Sequence, residues 1–447
     1  MGHPVGLGAV LGVPFRETLM DQQTIRGQSR AIIAGIAGNV MEWYDFSVYG
    51  YFAAIIGRNF FPTGDRTTSL IAAFGVFAAG FFMRPLGSIL FGYIGDKKGR
   101  KLALTISVGM MAVPTFLIGV LPTYQQIGLW ASLSLVLLRL LQGLSVGGEF
   151  TTSAIFLVEG SAARRRGFLG SFAPLGASAG TLLGSAIGAA VTTLLGQASI
   201  ESWGWRVPFL IGILVGVVGL YIRSGLVEDR LAQPKTKSPV REAFQTEWRT
   251  ILRLIGLNAA FAVSFYMGFV YVTTYIRQVD HIAQSTALDI NTVAMLVSLV
   301  LIPLIGGLSD RIGRKPILLA ATGGLFVLAW PLFWMLHHPE IALVLAAQIG
   351  FAVLVACFGG TVPAAMVELV PDRVRCTVLS VGYNVGMAFL GGMTPMVAVY
   401  TIHRSQDDLS PAFLLMAAAA VSFFVVAGLR ETYKLALSSP VTVADAA

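Results

Sequence analysis

Long apolar stretches follow one another along almost the whole chain, with short polar interruptions between them. A helix of roughly 20 mainly apolar residues crosses the hydrocarbon core of a bilayer. Stretches of that length recur twelve times, at 31–57, 68–95, 102–121, 127–158, 167–195, 204–225, 251–277, 287–309, 315–337, 341–367, 375–402 and 410–430. The pattern therefore predicts an all-α polytopic membrane protein with twelve transmembrane helices.

The composition supports a chain whose main solvent is lipid. It is 55% hydrophobic and only 12% charged, whereas soluble chains carry about 25% charged residues. The formal charge of +8 does not indicate nucleic-acid binding, because the basic residues stand in short clusters between apolar stretches. Two cysteines are too few for a disulfide framework, and the five histidines lack metal-binding spacing. We expect no metal, no cofactor and no nucleic-acid partner.

The distribution of lysine and arginine predicts the orientation of the chain. Of the 31 basic residues, 24 fall on the side of both termini and five on the opposite side, so the positive-inside rule predicts that both termini are cytoplasmic. A charged stretch in the middle of the chain separates two groups of six spans. The predicted tail, six-helix bundle, linker, second six-helix bundle and tail are 1–30, 31–225, 226–250, 251–433 and 434–447.

Two motifs occur twice at nearly the same separation. The residues at 92–101, Gly-Tyr-Ile-Gly-Asp-Lys-Lys-Gly-Arg-Lys, recur 214 residues later at 306–315 as Gly-Gly-Leu-Ser-Asp-Arg-Ile-Gly-Arg-Lys. A pattern of acids and arginines that starts at Glu159 recurs 209 residues later at Glu368. Because this separation contains six crossings, an even number, both copies lie on the same side of the membrane. The matches indicate a duplication into two parallel repeats, as in transporters.

The repeated charges are predicted to form a gate at the cytoplasmic end. The acid of such a loop can cap a helix and pair with an arginine of a neighbouring helix. The predicted gate residues are Asp96, Arg100, Glu159, Arg166, Asp310, Arg314, Glu368 and Arg375. We expect their pairs to hold in the outward-open state and to break in the inward-open state. The alternative is that they are solvated loop charges.

Several motifs resemble one family. The doubled Asp-x-x-Gly-Arg-Lys loop resembles that of the major facilitator superfamily. Four further motifs, at 38–46, 84–87, 142–149 and 203–209, read Gly-Asn-Val-Met-Glu-Trp-Tyr-Asp-Phe, Arg-Pro-Leu-Gly, Gln-Gly-Leu-Ser-Val-Gly-Gly-Glu and Trp-Gly-Trp-Arg-Val-Pro-Phe. They resemble the metabolite:proton symporter family. The resemblance implies two pseudo-symmetric six-helix bundles around a central cavity, alternating access, and uptake with protons across the bacterial cytoplasmic (inner) membrane.

The resemblance also implies the class of substrate. The family takes up proline, betaine, 2-oxoglutarate, citrate and related organic acids, and nearly all of these carry a carboxylate. We therefore expect secondary active symport of a small mono-, di- or tricarboxylate by a chain that functions as a monomer, and no enzyme activity. The alternative is a proton-coupled transporter of the osmolytes proline and glycine betaine. Osmosensing members carry a long C-terminal extension with heptads, whereas this sequence ends at Ala447, so the carboxylate is favoured.

Four charged residues fall at a similar depth inside the predicted spans: Glu42 and Asp45 in the first, Arg84 in the second and Arg139 in the fourth. Ionisable groups at this depth are costly unless paired or hydrated, which makes them functional candidates. We predict that Asp45, with Glu42 as second candidate, carries the proton opposite Arg139. Arg84 is predicted to bind the substrate carboxylate. The alternative is a permanent ion-pair network that fastens the three spans together.

Polar residues on the same helix faces are further candidates for binding the substrate. Helical periodicity groups them with the charged residues in the first half, and the second half contributes two tyrosines and one amide. The predicted substrate-binding residues besides Arg84 are Tyr49, Gln142, Glu149, Tyr271, Tyr275 and Asn384. The amide is the stronger candidate in the second half because it requires a partner in lipid. The alternative for the tyrosines is a role in packing or at the membrane interface.

Overall fold

The computed structural model describes residues 36–98, 100–224, 239–434 and 437. Within these ranges the chain is helical and contains no β-strand. Several segments predicted from the sequence lie outside the described part: the tail at 1–30, most of the tail at 434–447 and a large part of the linker. The side chains of the predicted gate residues Asp96 and Arg100 lie outside it as well.

Twelve long helices make up most of the described chain, and each coincides with one predicted span. They are α1 (36–60), α2 (66–98), α3 (Arg100–Val120), α4 (Leu129–Glu159), α5 (Ala163–Leu194), α6 (Val207–Ser224), α7 (Trp248–Val279), α8 (Gln284–Ile312), α9 (Arg314–Leu336), α10 (Ile341–Leu369), α11 (Asp372–Ser405) and α12 (Pro411–Ala427). Short helices at Tyr124–Ile127, Gln197–Ser202 and Pro239–Thr246 lie in the connections.

The length and composition of these helices suit a bilayer. Among the described residues, nine helices are long and apolar enough to cross a membrane, and α3 and α12 contain shorter apolar stretches. The remaining helix, α1, carries Glu42 and Asp45. Large apolar side chains such as Leu137, Val327 and Phe424 are exposed on the outside of the protein. Such a surface is stable only when lipid covers it.

Several helices depart from regular α-helical geometry near their middle. The helices α1, α2 and α4 are interrupted at Phe52, Met83 and 146–148. In the second half, α7 contains a π-helical segment at Tyr266–Tyr271, and α11 contains another at Met387–Gly392. Segments of π-helix are rare and frequently occur at functional sites. The level of the membrane at which these two segments lie is therefore a candidate position for the functional site.

Glycines bring α2 and α4 into backbone contact. A Cβ atom at Gly87 would lie 1.9 Å from the carbonyl oxygen of Leu144, and one at Gly143 would lie 1.9 Å from that of Gly80. No other residue fits at these positions without a shift of the backbone. The glycines of two of the sequence motifs are therefore packing positions, and they set the spacing between the helices that carry Arg84 and Arg139.

The two six-helix halves contact each other through helices of both. Helix α2 of the first half packs against α11 of the second half, and α5 of the first half packs against α8 and α10 of the second. The hydroxyl of Ser185 on α5 donates to the carbonyl oxygen of Leu288 on α8 at 3.1 Å. The helices α1 and α7 approach so closely that a Cβ at Gly50 would lie 2.4 Å from the side chain of Val270. Residues along these contacts are shielded from the lipid by both halves.

Candidate functional site

The four charged residues predicted inside the first, second and fourth spans form two separate ion pairs. Arg84 lies 2.7 Å from Glu42, and Arg139 lies 3.0 Å from Asp45; at most 2% of each side chain is exposed. The two acids lie three residues apart on α1 and therefore point about 60° apart, toward different neighbours.

The Glu42–Arg84 pair lies where the two halves meet. Besides its bond to Glu42, Arg84 donates from Nε to the amide oxygen of Asn384 on α11 at 3.3 Å. The amide nitrogen of Asn384 donates in turn to the carbonyl oxygen of Gly147 on α4 at 2.6 Å. Among the described residues, Nη1 of Arg84 has no hydrogen-bond partner. The pair therefore links three helices of the first half to one of the second, with a buried donor unused.

Aromatic rings surround the guanidinium of Arg84. Its Cζ atom lies 5.2 Å from the ring centroid of Phe81 and 6.0 Å from those of Phe46 and Tyr383. Tyr266, in the π-helical segment of α7, meets Phe81 edge-on at 5.3 Å. Both phenols lie close enough to Arg84 to interact with it electrostatically, and within the described chain neither hydroxyl has a hydrogen-bond partner. The site can offer both cation–π faces and unused polar groups to a ligand.

The Asp45–Arg139 pair lies inside the first half. Asp45 accepts hydrogen bonds from Thr115 at 2.7 Å, Gln142 at 2.8 Å and Arg139 at 3.0 Å. The oxygen of Gln142 accepts a bond from Arg139 at 2.9 Å, and the ring of Tyr49 lies 4.4 Å from the guanidinium. Gln142 and Tyr49, predicted to bind substrate, therefore contact the ion pair that was predicted to carry the proton.

Two small voids lie beside the ion pairs in the described part of the first half. A void of about 10 Å³ is lined by Glu42, Glu149 and their neighbours, and a second of about 10 Å³ is lined by Asp45 and Thr115 among others. About 10–15 Å³ is needed to hold one water molecule. Each ion pair thus lies beside room for about one water, and the predicted ligand Glu149 shares the void of Glu42.

The two tyrosines of α7 that were predicted to line the cavity differ in position. The ring of Tyr271 meets Phe74 of α2 at 6.2 Å, across the contact between the halves. The ring of Tyr275 packs against Phe333 of α9 at 5.2 Å, within the second half. Neither contacts the two ion pairs, and for Tyr275 the packing alternative describes its surroundings better.

An uncharged network that the sequence analysis missed also joins the halves. The amide of Asn291 donates to the hydroxyls of Tyr51 at 3.0 Å and Ser185 at 3.2 Å. Gln348 donates to the oxygen of Asn291 at 3.1 Å and to the carbonyl of Gly268. Asn291 and Gln348 are amides inside predicted spans and, like Asn384, require a hydrogen-bond partner in lipid. That requirement is the sequence signal by which they could have been identified. Tyr51 lies nine residues after Glu42, roughly 14 Å nearer the predicted outer face.

A titratable carboxyl lies at that outer face. Asp280 follows α7, and its side chain is only 6% exposed. Burial raises the pKa of Asp280 to about 6, while His337, 3.5 Å away, acts in the opposite direction. This carboxyl outside the spans therefore changes charge near pH 6, and it must be distinguished from the two acids of α1 in any pH-dependent measurement.

The second copy of the repeated loop bridges the halves at the predicted cytoplasmic face, where α1 begins and α12 ends. The carboxylate of Asp310 accepts hydrogen bonds from the backbone N–H groups of Gly167 and Phe168 at the start of α5, each at 2.8 Å. It also accepts a bond from Arg314 at 2.8 Å. Gly313 has φ of +105°, which favours glycine and permits the turn. The acid thus stabilises the N-terminus of a helix in the opposite half.

The other repeated charges pair reciprocally across the halves. Glu159 of the first half lies 2.5 Å from Arg375 of the second. Glu368 of the second half lies 3.0 Å from Arg314 of the same half. It also lies 4.0 Å from Arg166 of the first half. All six predicted gate residues whose side chains are described therefore lie at this face, in two sets that each join the halves: Glu159 with Arg375, and Arg166 with Asp310, Arg314 and Glu368.

Two residues after α12 extend the set around Glu368 and were not identified from the sequence. The carboxylate of Glu431 accepts hydrogen bonds from the backbone N–H groups of Arg314 and Lys315 at 2.9 Å each, so it caps α9. The hydroxyl of Thr432 donates to Glu368 at 2.6 Å. Both residues tie the end of the second half to the gate.

Replacing Asp310 by asparagine is expected to open the predicted cytoplasmic face. Hydrogen bonds to a charged group contribute about 1.5–3 kcal/mol each, so the population of the open state should rise about tenfold or more. The measurement is double electron–electron resonance between spin labels at Arg165→Cys and Arg311→Cys, which are exposed positions in opposite halves. The distance between the two labels should increase in Asp310→Asn. The control is Asp289→Asn, an exposed acid on the same helix; unchanged distances in Asp310→Asn would contradict the gate.

Two packed six-helix halves, an apolar outer surface and buried ion pairs at and beside their contact define a polytopic membrane transporter rather than an enzyme. The chain belongs to the major facilitator superfamily, and within it to the metabolite:proton symporter family. The family model described as Major Facilitator Superfamily matches residues 35–395 and 281–441. The family and fold expected from the sequence are thereby confirmed.

The relatives agree with this assignment. The chain is 36% identical over 430 residues to the proline/betaine transporter of Escherichia coli K12. This alignment covers 93% of this chain and 85% of the relative. It is 35% identical over 430 residues to the glycine betaine/proline/ectoine/pipecolic acid transporter OusA of Dickeya dadantii, with the same coverage of 93% and 85%. A solved structure of the proton:xylose symporter XylE has a TM-score of 0.71 at 15% identity, over 90% of this chain and 96% of XylE, which shows the shared fold alone.

Proposed function

We propose that this chain is a proton-coupled symporter that takes up small zwitterionic osmolytes of the proline and glycine betaine type by alternating access. The observation that carries the proposal is the buried Glu42–Arg84 pair at the contact between the halves. A buried ion pair is strongly destabilised when one partner is lost. A zwitterion brings a carboxylate for Arg84 and a cationic nitrogen for Glu42, so both residues keep an opposite charge when the pair opens.

A simple carboxylate fits the same pair less well. It would occupy Arg84 and separate that arginine from Glu42, which leaves two acids beside one base unless Glu42 takes up a proton. Symport of a mono-, di- or tricarboxylate is therefore the second candidate rather than the first. The names of the relatives, proline/betaine transporter and glycine betaine/proline/ectoine/pipecolic acid transporter, also support the osmolyte.

The proton is proposed to bind at Asp45. Three donors hold its carboxylate, one of them the guanidinium of Arg139, and protonation would weaken the charge-assisted bond to that arginine. Asp45 lies one helical turn from Glu42 on α1. A movement of α1 that opens the Glu42–Arg84 pair therefore also shifts Asp45 relative to α3 and α4, which supplies a physical route for coupling.

The two cross-half networks are proposed to be the gates of the transport cycle. The ion pairs around Asp310 and Glu159 close the predicted cytoplasmic face, and the uncharged network around Asn291 closes the predicted outer face. The bacterial relatives support a place in the inner membrane, with both termini cytoplasmic by the positive-inside rule. One chain supplies both halves of the site, so we propose that it works as a monomer.

A ligand screen followed by uptake tests this function. The purified chain is screened by thermal shift with proline, glycine betaine, lactate, succinate and citrate, because a ligand that binds the folded state raises the Tm. Uptake of each compound into proteoliposomes is then measured with an acidic exterior. We expect proline or glycine betaine to accumulate, and the accumulation to collapse with a proton ionophore. Accumulation of the simple carboxylates alone would establish the second candidate, and indifference to the ionophore would exclude proton coupling.

A further inference from the structure

The rings around Arg84 form a pocket for a cation. Phe46, Phe81 and Tyr383, here called the aromatic pocket, lie with their centroids 5.2–6.0 Å from the Cζ atom of Arg84. This is within the roughly 6 Å over which a ring face attracts a cation. The guanidinium is therefore the resident cation of the aromatic pocket while Arg84 is paired with Glu42.

Packing from both halves holds the pocket in place. The ring of Tyr383 on α11 is stacked on Phe150 of α4, with centroids 4.4 Å apart and planes 6° apart. Phe81 on α2 fits against α11 because position 392 is glycine, where a Cβ atom would lie 2.6 Å from the ring. Two rings thus come from the first half and one from the second, so the complete pocket exists only while the halves are in contact at this level.

We propose that the aromatic pocket binds the ammonium group of the substrate, while Arg84 binds its carboxylate; this rests on the proposed function. When Arg84 turns to the substrate carboxylate, Phe46 keeps the cation of Arg139, whose Cζ lies 4.6 Å from its centroid. The ring faces of Phe81 and Tyr383 lose their cation. The cationic nitrogen of the zwitterion takes that position beside Glu42, which lies 2.7 Å from Arg84 in the closed state. The charge in the pocket is conserved through the exchange.

The pocket sets the preference between two classes of osmolyte. A trimethylammonium group has no N–H donor, so it binds through its charge and the ring faces. The secondary ammonium of an imino acid donates hydrogen bonds to a carboxylate, here that of Glu42, and depends less on the rings. Loss of a ring is therefore expected to weaken binding of glycine betaine more than that of proline.

The experiment compares the KM values of the two substrates in proteoliposomes under one imposed pH gradient. Phe81→Leu is expected to raise the KM for glycine betaine about tenfold and that for proline less than about threefold. Phe81→Tyr keeps a ring face and is expected to retain affinity for glycine betaine. The matched control is Phe82→Leu, because Phe82 is the next residue and packs against Phe389 at 4.9 Å on the outside of the protein.

Fluorinated phenylalanines at position 81 separate cation binding from packing. Successive fluorines reduce the negative potential of the ring face with little change in its shape, so the KM for glycine betaine is expected to rise stepwise. This series also keeps the test valid where Phe81→Leu does not fold. A flat series, or equal changes for both substrates in Phe81→Leu, would overturn the ammonium pocket and leave the proposed function standing. Failure of the unaltered chain to accumulate either osmolyte would instead overturn the proposed function.

Discussion

Replacing Arg84 by lysine is expected to reduce the ratio of maximal uptake rate to KM at least about 100-fold. Arg84 makes directional bonds to Glu42 and to Asn384 with two different nitrogens. A lysine ammonium is a single point charge and cannot reproduce this fork. Hydrogen bonds to a charged group contribute about 1.5–3 kcal/mol each, and about 1.4 kcal/mol is a factor of ten. The measurement is initial uptake of proline or glycine betaine into proteoliposomes.

The control for this substitution is Arg58→Lys. Arg58 lies at the outer end of α1, its side chain is 38% exposed, and its partner Glu201 is 3.4 Å away. Exposed pairs contribute about 0–1 kcal/mol, so uptake should stay within about threefold of the unaltered chain. An unchanged KM in Arg84→Lys would remove this arginine from the substrate site.

A double substitution separates the role of the pair in transport from its role in stability. Arg84→Met alone leaves the carboxylate of Glu42 without its arginine, and we expect a lower Tm. Glu42→Gln with Arg84→Met removes both charges together, a change that is often tolerated by the fold. This variant should recover most of the Tm and still fail to transport.

The twelve helices could be predicted because the bilayer imposes a strong length and composition requirement. Backbone groups in lipid must be satisfied within a helix, so each crossing appears in the sequence as an apolar stretch of fixed minimum length. The span predicted at 341–367 is the helix Ile341–Leu369, and the one predicted at 287–309 is Gln284–Ile312. The longer observed ends carry polar residues that project beyond the hydrocarbon core, and hydropathy has no signal for them.

The sequence led us to place Asp45 opposite Arg139, but it did not predict that Glu42 pairs with Arg84. Their high cost in lipid selects Glu42, Asp45, Arg84 and Arg139 as candidates, but spacing along α1 does not reveal which neighbouring helix each acid faces. That depends on how α1 is rotated against α2, α3 and α4, which the apolar pattern of the spans does not specify. The separation into one pair at the contact between the halves and one within the first half therefore became visible only in the structure.

The aromatic pocket could not be predicted from the sequence for a different reason. Phenylalanine and tyrosine inside apolar spans look the same in sequence whether they face lipid, a packed core or a ligand. Phe81 and Phe82 are neighbours in the chain, yet one lies against Arg84 and the other is exposed next to Phe389. Only the arrangement of neighbouring helices distinguishes them.

Replacing Asp45 by asparagine is expected to abolish accumulation driven by a pH gradient while substrate exchange persists. Asparagine has nearly the shape of the carboxylate, and its single oxygen can accept either from Thr115 or from Arg139, which donate to different oxygens of Asp45. It cannot take up or release a proton. The ratio of internal to external osmolyte should fall to about 1 in proteoliposomes with an acidic exterior, since no protonation step links transport to the gradient. Counterflow from preloaded proteoliposomes should stay within about threefold of the unaltered chain, because exchange needs the substrate site alone.

The matched control is Asp280→Asn. Burial raises the pKa of Asp280 to about 6, so this carboxyl titrates in the range of the imposed gradient, yet it lies at the predicted outer face, away from both ion pairs. Accumulation should survive its loss. Full accumulation in Asp45→Asn would exclude Asp45 as the proton carrier and transfer the role to Glu42, the other acid of α1, for which Glu42→Gln should then lose accumulation. Loss of exchange together with accumulation in Asp45→Asn would instead show that the Asp45–Arg139 pair is required for the movement of the halves and not only for the proton.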